Sequence, residues 1–138
     1  MTAEAARILV VAGALFDANG AVLIAQRPPG KHLAGGWEFP GGKPAAGEDD
    51  AQALARELRE ELGVQVLASQ HFMSLTHEYP DRHVELRLRL VSAWQGEPRG
   101  LDGQALRWVA VGELHRAHVL DADRPFIEAL QRHAAGAI

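Results

Sequence analysis

One stretch, residues 35–64, limits what this chain can fold into more than any other: GGWEFPGGKPAAGEDDAQALARELREELGV. A glycine-rich turn is followed there by a segment whose apolar residues recur at helical spacing, which predicts an amphipathic helix. Glu57, Glu60 and Glu61 lie at helical offsets of three and four, so they share one helix face. From spacing alone, this face is either a solvated acidic surface or a site for a divalent cation, since Mg²⁺ takes carboxylate oxygens as ligands.

Composition narrows the function classes. The chain has 138 residues, which fits a single domain spanning residues 1–138. There is no cysteine, which excludes disulfides and thiolate metal sites. The apolar run at residues 8–15 is too short to span a membrane, and no secretory signal pattern precedes it, so we expect a cytoplasmic protein. A net charge of −4 argues against a nucleic-acid-binding surface.

Short strands mixed with two helices predict an α+β fold. Residues 8–16 and 21–26 are expected to form a hairpin, and residues 37–39 a short strand. The helix of the acidic stretch should begin at Asp49 and Asp50 and end at Gly63. The further predicted elements are strands at residues 64–68, 70–77, 84–94 and 105–109, a helical turn at 111–115, and a helix at 125–133.

The spacing is more specific than a cluster of acids. Gly42, Glu48, the Arg-Glu-Leu-x-Glu-Glu run of residues 56–61, and Gly63 match the Nudix box at every defined position. Residues 37–43, 80–83, 94–103 and 123–125 also resemble the MutT branch of that family. The resemblance implies the Nudix fold, an α/β/α sandwich with a central mixed β-sheet. It also implies hydrolysis of a nucleoside triphosphate to the monophosphate and pyrophosphate.

The resemblance further implies a metal site. By position, Glu57, Glu60, Glu61 and the carbonyl of Gly41 would bind Mg²⁺, with Mn²⁺ as a possible substitute. Glu57 and Glu60 are also candidates for the catalytic base, and so is Asp102 in the loop at residues 96–103.

Other residues of the box have structural roles in this resemblance. Arg56 is grouped with the catalytic residues because an ion pair with Glu48 would order the loop over the helix. Gly41 and Gly42 would let the backbone approach the metal and the helix. An exposed Arg–Glu pair with little effect is the alternative.

Four residues are candidates to hold the nucleotide: Arg27 and Arg82, which by position resemble substrate-binding arginines of MutT, Phe39, which would pack against the base, and His32 in the loop before the box. Each has a plainer alternative. The arginines could be solvated, His32 could be an ordinary loop residue, and Phe39 could belong to the core.

Asp123 stands where MutT relatives carry an asparagine. An asparagine offers a donor and an acceptor, whereas an ionised aspartate only accepts. Asp123 could accept from a guanine-type edge or from the amino group of cytosine, and a protonated Asp123 in a dry pocket could donate. It could also simply cap the helix before Pro125.

These residues lead to one expected function and two alternatives. The expected activity is Mg²⁺-dependent hydrolysis of 8-oxo-dGTP by a monomer or homodimer. The alternatives are a CTP or 5-methyl-dCTP pyrophosphohydrolase and a non-catalytic Nudix-fold sensor.

Overall fold

The computed structural model describes residues 6–31 and 33–136. Within those ranges seven strands and two helices follow one another, joined by short 3₁₀ segments at Val111–Arg116 and Asp121–Asp123. The elements are β1 (Ala6–Leu15), β2 (Ala21–Gln26), β3 (Trp37–Glu38), β4 (Gly41–Gly42), α1 (Asp50–Leu62), β5 (Gln65–Tyr79), β6 (Arg82–Gln95), β7 (Leu106–Ala110) and α2 (Arg124–Gly136).

The larger sheet is mixed and has the strand order β4-β1-β6-β5. β1 runs parallel to β6, whereas β4 and β5 are antiparallel to their neighbours. A second, antiparallel sheet has the order β3-β2-β7. The α+β fold with a mixed sheet is therefore confirmed, and a smaller sheet accompanies it.

Helix α1 begins and ends where the sequence predicts. Asp49 is the N-cap and accepts a hydrogen bond from the backbone N–H of Gln52 at 2.8 Å, while the Gln52 side chain accepts one from the Asp49 backbone N–H. Gly63 ends the helix in the left-handed conformation with a φ of 71°, which glycine adopts without a steric penalty. Leu54, Leu58 and Leu62 are fully buried against β1, β2 and β6. Burial of this stripe fixes the acidic side of the helix away from the core.

Helix α2 belongs to the other apolar cluster. Phe126, Ile127 and Leu130 are buried with the side chains of β1 and β6 that point away from α1. The helices thus lie on opposite sides of the mixed sheet, as a sandwich requires. No helix of the described residues has the length and apolar character needed to cross a membrane.

Two expectations were wrong. β1 and β2 do not form a hairpin, because they belong to different sheets and are joined by a single bridge between Phe16 and Val22. Residues 64–68 and 70–77 are not separate strands. β5 is continuous, and register shifts between residues 66 and 73 interrupt its pairing with β6, which breaks the alternation that a regular strand would show in sequence.

Candidate active site

The glycine turn lies against the acidic helix. A Cβ on Gly42 would come within 2.4 Å of the Glu57 side chain, and one on Gly41 within 2.0 Å of the Val11 carbonyl oxygen. A side chain at position 41 would clash with the backbone of β1, and one at position 42 would displace the Glu57 carboxyl group. The turn is also tied to β1, since the Gly13 N–H donates to the Pro40 carbonyl at 2.9 Å. Glycine at both positions therefore brings the turn and the carboxylates together.

A cleft of about 380 Å³ opens beside this turn. We call it the carboxylate cleft, and it is lined by Gly41, Glu61, Asp102, Glu38 and Arg27, among others. Burial, together with the nearby carboxylates of Glu57, Asp102 and Glu38, raises the pKa of Glu61 to about 8. Burial and the neighbouring acids thus both favour the protonated form of this carboxyl group.

This arrangement fits a divalent cation. Glu57 raises the pKa of Glu61 through its charge and through hydrogen bonding, so a cation could replace the proton that the two carboxyl groups favour. Within residues 6–31 and 33–136, no group of three or more acidic or histidine side chains is clustered as a metal site. Glu57, Glu60, Glu61 and the Gly41 carbonyl stay the predicted ligands.

The three helix carboxylates differ in exposure and position. Glu60 is 57% exposed and Glu57 16% exposed, and both accept from Arg56 Nη1 at 3.1 Å. Of the three, Glu61 lines the carboxylate cleft. Glu57 lies against Gly42, and Glu60 lies at the solvent edge.

The predicted ion pair between Arg56 and Glu48 is present. Arg56 donates from Nε to Glu48 Oε2 at 2.8 Å and from Nη2 to Glu48 Oε1 at 3.0 Å. Its guanidinium also reaches Glu57 at 3.1 Å and the Lys43 carbonyl at 3.0 Å. Hydrogen bonding to Arg56 lowers the pKa of Glu48. A planar fork with this many partners ties the loop after β4 to the acidic helix.

Asp102 reaches the carboxylate cleft because its loop is attached to the end of α1. The backbone N–H of Arg99 donates to the Leu62 carbonyl and that of Leu101 to the Glu61 carbonyl, both at 3.0 Å. These bonds satisfy carbonyls that a helix end leaves without partners. The structure thereby supports a position for Asp102 near Glu61, as the sequence predicts.

A second cavity, of about 370 Å³, adjoins the first. We call it the Asp123 pocket; its lining includes Phe39, Tyr79, Arg82, Leu120 and Asp123. Its parts are far apart in sequence. Trp37 pairs with the 118–120 segment through hydrogen bonds of 3.3 and 2.9 Å, which brings Asp123 beside Phe39.

Asp123 is the buried charged residue of this pocket, with 7% of its surface exposed. Its Oδ2 accepts from the Phe39 backbone N–H at 3.4 Å. Burial and the nearby Glu38 raise its pKa, the Phe39 hydrogen bond and Arg27 oppose the rise, and the net pKa is about 7. The group can therefore be neutral or ionised near neutral pH. Its side chain accepts its hydrogen bond inside the pocket, and the residue itself comes directly before α2.

The other predicted binding residues fall in or near the same place. Phe39 is 3% exposed and packs edge-to-face on Phe126 with ring centroids 6.3 Å apart, so it serves the core and lines the pocket at once. The Arg82 guanidinium lies 5.1 Å from the Tyr79 ring centroid, and its buried Nε has no hydrogen-bond partner among the described residues. His32 lies outside the described residues.

Glu38 is the functional candidate that sequence reasoning missed. It lines both cavities, and its Oε2 accepts from Arg27 Nε at 3.0 Å. Burial raises its pKa, although Arg27 opposes this. The available signal was an acidic residue in the short strand before the glycine turn. A strand of two residues is too short for its alternation to show which side chain faces the cavities.

Comparison with known families decides what this arrangement is. The NUDIX domain model matches residues 11–129. The chain belongs to the Nudix family. The matched span contains the whole of the acidic helix and every site residue described above, from Arg27 to Asp123.

Individual Nudix relatives agree with this. The chain is 36% identical to the 8-oxo-dGTP diphosphatase of Escherichia coli over 91% of its own length and 98% of that protein. It is also 36% identical to the E. coli CTP pyrophosphohydrolase, covering 89% of this chain and 91% of that protein. A solved MutT structure, from work on Aliivibrio salmonicida and Vibrio cholerae, superposes with a TM-score of 0.77 at 36% identity, covering 88% and 94% of the two chains.

Proposed function

We propose that this Nudix protein, acting as one domain, hydrolyses nucleoside triphosphates to the monophosphate and pyrophosphate, with 8-oxo-dGTP as the first candidate substrate. The observation that carries the proposal is the pairing of two adjoining cavities, one lined by carboxylates and one by Phe39, Arg82 and Asp123. The carboxylates could hold a cation that binds the triphosphate, and the second cavity offers an aromatic ring and a polar group to the base. The E. coli diphosphatase supports the choice of substrate by its name and its overall similarity.

The carboxylate cleft would hold the triphosphate. Glu57, Glu61 and the Gly41 carbonyl would bind Mg²⁺, or Mn²⁺ in its place, which neutralises phosphate oxygens and lowers the pKa of bound water. Arg27 and Lys31 line the cleft and offer cationic donors to phosphate oxygens. Arg56 keeps Glu57 in place through its hydrogen bond.

The attacking water needs a base to orient it and accept its proton. Asp102 borders the cleft beside Glu61 and is well placed for this role. Glu57 is the alternative base, and the exposed position of Glu60 suits a supporting role at the edge. Replacement of Asp102 by Asn should lower kcat if it carries the proton, and an unchanged kcat would transfer the role to the helix.

A second candidate function rests on Asp123. A carboxylate in the pocket can accept a hydrogen bond from the amino group of cytosine. Asp123 therefore suits a cytosine nucleotide as well as a guanine nucleotide. The similarity to the E. coli CTP pyrophosphohydrolase is consistent with this. Cytosine nucleotides such as CTP and 5-methyl-dCTP are therefore the alternative substrates, cleaved by the same chemistry.

The deciding experiment measures Mg²⁺-dependent pyrophosphate release from 8-oxo-dGTP, dGTP, CTP and 5-methyl-dCTP, and compares kcat/KM. The highest value for 8-oxo-dGTP supports the first candidate, and the highest for a cytosine nucleotide supports the second. Release from none of them, with binding retained, would instead favour a non-catalytic Nudix sensor. Action on free nucleotides in the cytoplasm, as a monomer or homodimer without nucleic acid, completes the proposal.

A further inference from the structure

The two cavities share one wall. Arg27, Lys31 and Glu38 line both the carboxylate cleft and the Asp123 pocket. The influence of Glu38 extends to both sides, because its charge raises the pKa of Asp123 in one cavity and of Glu61 in the other. Glu38 therefore lies between the group proposed to face the base and the groups proposed to face the phosphates.

In a nucleotide, the part between base and phosphates is the sugar. This step rests on the proposed function, in which the base occupies the Asp123 pocket and the triphosphate the carboxylate cleft. A ligand bound in that way must place its sugar against the wall that the two cavities share. Of the three side chains in the wall, Arg27 and Lys31 only donate hydrogen bonds, and Glu38 is the acceptor.

The sugar of a nucleoside triphosphate presents its 3′-hydroxyl as a donor whether the nucleotide is a ribo- or a deoxynucleotide. Glu38 is held for such a contact, since Arg27 Nε donates to its Oε2 at 3.0 Å and the side chain is 31% exposed. We propose that Glu38 recognises the sugar, its carboxylate accepting a hydrogen bond from the 3′-hydroxyl while Arg27 keeps the carboxylate in position. Glu38 is then a specificity-determining residue of a site so far assigned only to base and phosphates.

The test removes each partner of that hydrogen bond in turn. We would measure kcat/KM for three matched pairs, dGTP with ddGTP, dCTP with ddCTP, and 8-oxo-dGTP with its 3′-deoxy analogue. In the wild type, loss of the 3′-hydroxyl should lower kcat/KM roughly ten- to hundredfold, as expected for a hydrogen bond to a charged group. In Glu38→Ala the two members of each pair should be hydrolysed with kcat/KM values within about twofold of each other.

Two further variants separate recognition from structure. Glu38→Gln keeps the size and an accepting oxygen but loses the charge, so its ratio should fall between those of the wild type and Glu38→Ala; it also serves if Glu38→Ala does not fold. Arg27→Gln keeps the Glu38 carboxylate but removes the cation that positions it, so the ratio should stay above that of Glu38→Ala although kcat/KM falls for both nucleotides. Thermal unfolding of each variant checks that the fold is retained.

Three results would overturn the inference, and they are distinguishable. A wild-type ratio near one, with efficient hydrolysis, refutes sugar recognition and leaves the proposed function intact. An equal loss for both nucleotides in the Glu38 variants, with the wild-type ratio kept, shows that Glu38 only orders Arg27. Absence of hydrolysis of every nucleotide refutes the proposed function itself, and the inference with it.

Discussion

The carboxylate cleft and the Asp123 pocket share a wall but differ in how far apart in sequence their key residues lie. The predicted cation ligands at the cleft, Gly41, Glu57 and Glu61, come from one short stretch, residues 41–61, although Arg27, Glu38 and Asp102 also line it. The pocket gathers side chains from β1, from the turn between β5 and β6, and from the segment before α2. Local sequence thus encodes most of the proposed cation site, whereas long-range pairing encodes the proposed choice of base.

The two regions also differ in charge balance. In the cleft, Glu61 is surrounded by other carboxylates, so a proton or a cation is needed to relieve their repulsion. In the pocket, Asp123 is a single buried acid with a pKa near neutrality and one backbone donor. Substitutions in the cleft should therefore abolish turnover, and substitutions in the pocket should redirect it.

The largest effect is expected at Glu57. Glu57→Gln removes a predicted cation ligand and the charge that Arg56 orients, so kcat should fall roughly 10²- to 10⁴-fold. The fold should survive, because the side chain lies outside the apolar stripe of α1. Pyrophosphate release and thermal unfolding measure the two properties. Near-normal turnover would rule out the proposed ligand role.

Gly42→Ala tests the same region through the backbone. The new methyl group would come within 2.4 Å of the Glu57 carboxyl carbon, and a displacement of about 1 Å in a catalytic group can cost roughly a hundredfold in rate. We expect kcat/KM to fall by about that factor.

Gly112→Ala is the matched control for this substitution, because nothing lies within 4 Å of the position that its methyl group would occupy. It should retain wild-type activity. Equal activity of the Gly42 and Gly112 variants would show that the close approach of turn and helix is not required.

Asp123→Asn probes the Asp123 pocket. The amide adds a donor and keeps an acceptor, so the ratio of kcat/KM for 8-oxo-dGTP over 5-methyl-dCTP should rise roughly tenfold or more. The kcat for the better substrate should change much less. A uniform loss for all bases would mean that Asp123 supports the pocket without reading the base.

The smallest effect concerns stability. At low pH, Asp123 is protonated in both the folded and the unfolded chain. As pH rises, the unfolded chain loses this proton near the ordinary value of 3.8, whereas the folded chain keeps it up to about 7. Stability from this group is therefore lost as pH rises towards 7.

Because Asp123→Asn lacks the ionisation, its free energy of unfolding should gain on that of the wild type by about 2 kcal/mol between pH 5 and pH 7. Urea unfolding at the two pH values measures the difference. A constant offset between the proteins would contradict an elevated pKa for Asp123.

Much of the acidic helix and of the loop before it was predictable because the signals are local. Capping by Asp49 and Gly63, the buried leucine stripe and the Arg56–Glu48 pair all depend on residues at most a few turns apart, and each was confirmed. Glu60 lies on the predicted face of α1, but Arg56 draws its side chain to the solvent edge. Helical spacing places a residue on a face and leaves its rotamer open.

The rest depended on contacts between distant residues. β2 reads like the partner of β1, yet its hydrogen bonds go to β3 and β7. Likewise, Glu38 becomes important only when Arg27 and Asp123 are brought beside it. No pattern within one segment carries that information.

The attachment of the Asp102 loop to α1 has a consequence for insertions and deletions. Arg99 and Leu101 donate to the last carbonyls of the helix, so Asp102 follows directly after a fixed anchor. An added residue before Arg99 could bulge outward, whereas one between Leu101 and Asp102 would shift the carboxylate away from Glu61. Length variation in this loop is therefore tolerated on one side of the anchor and excluded on the other.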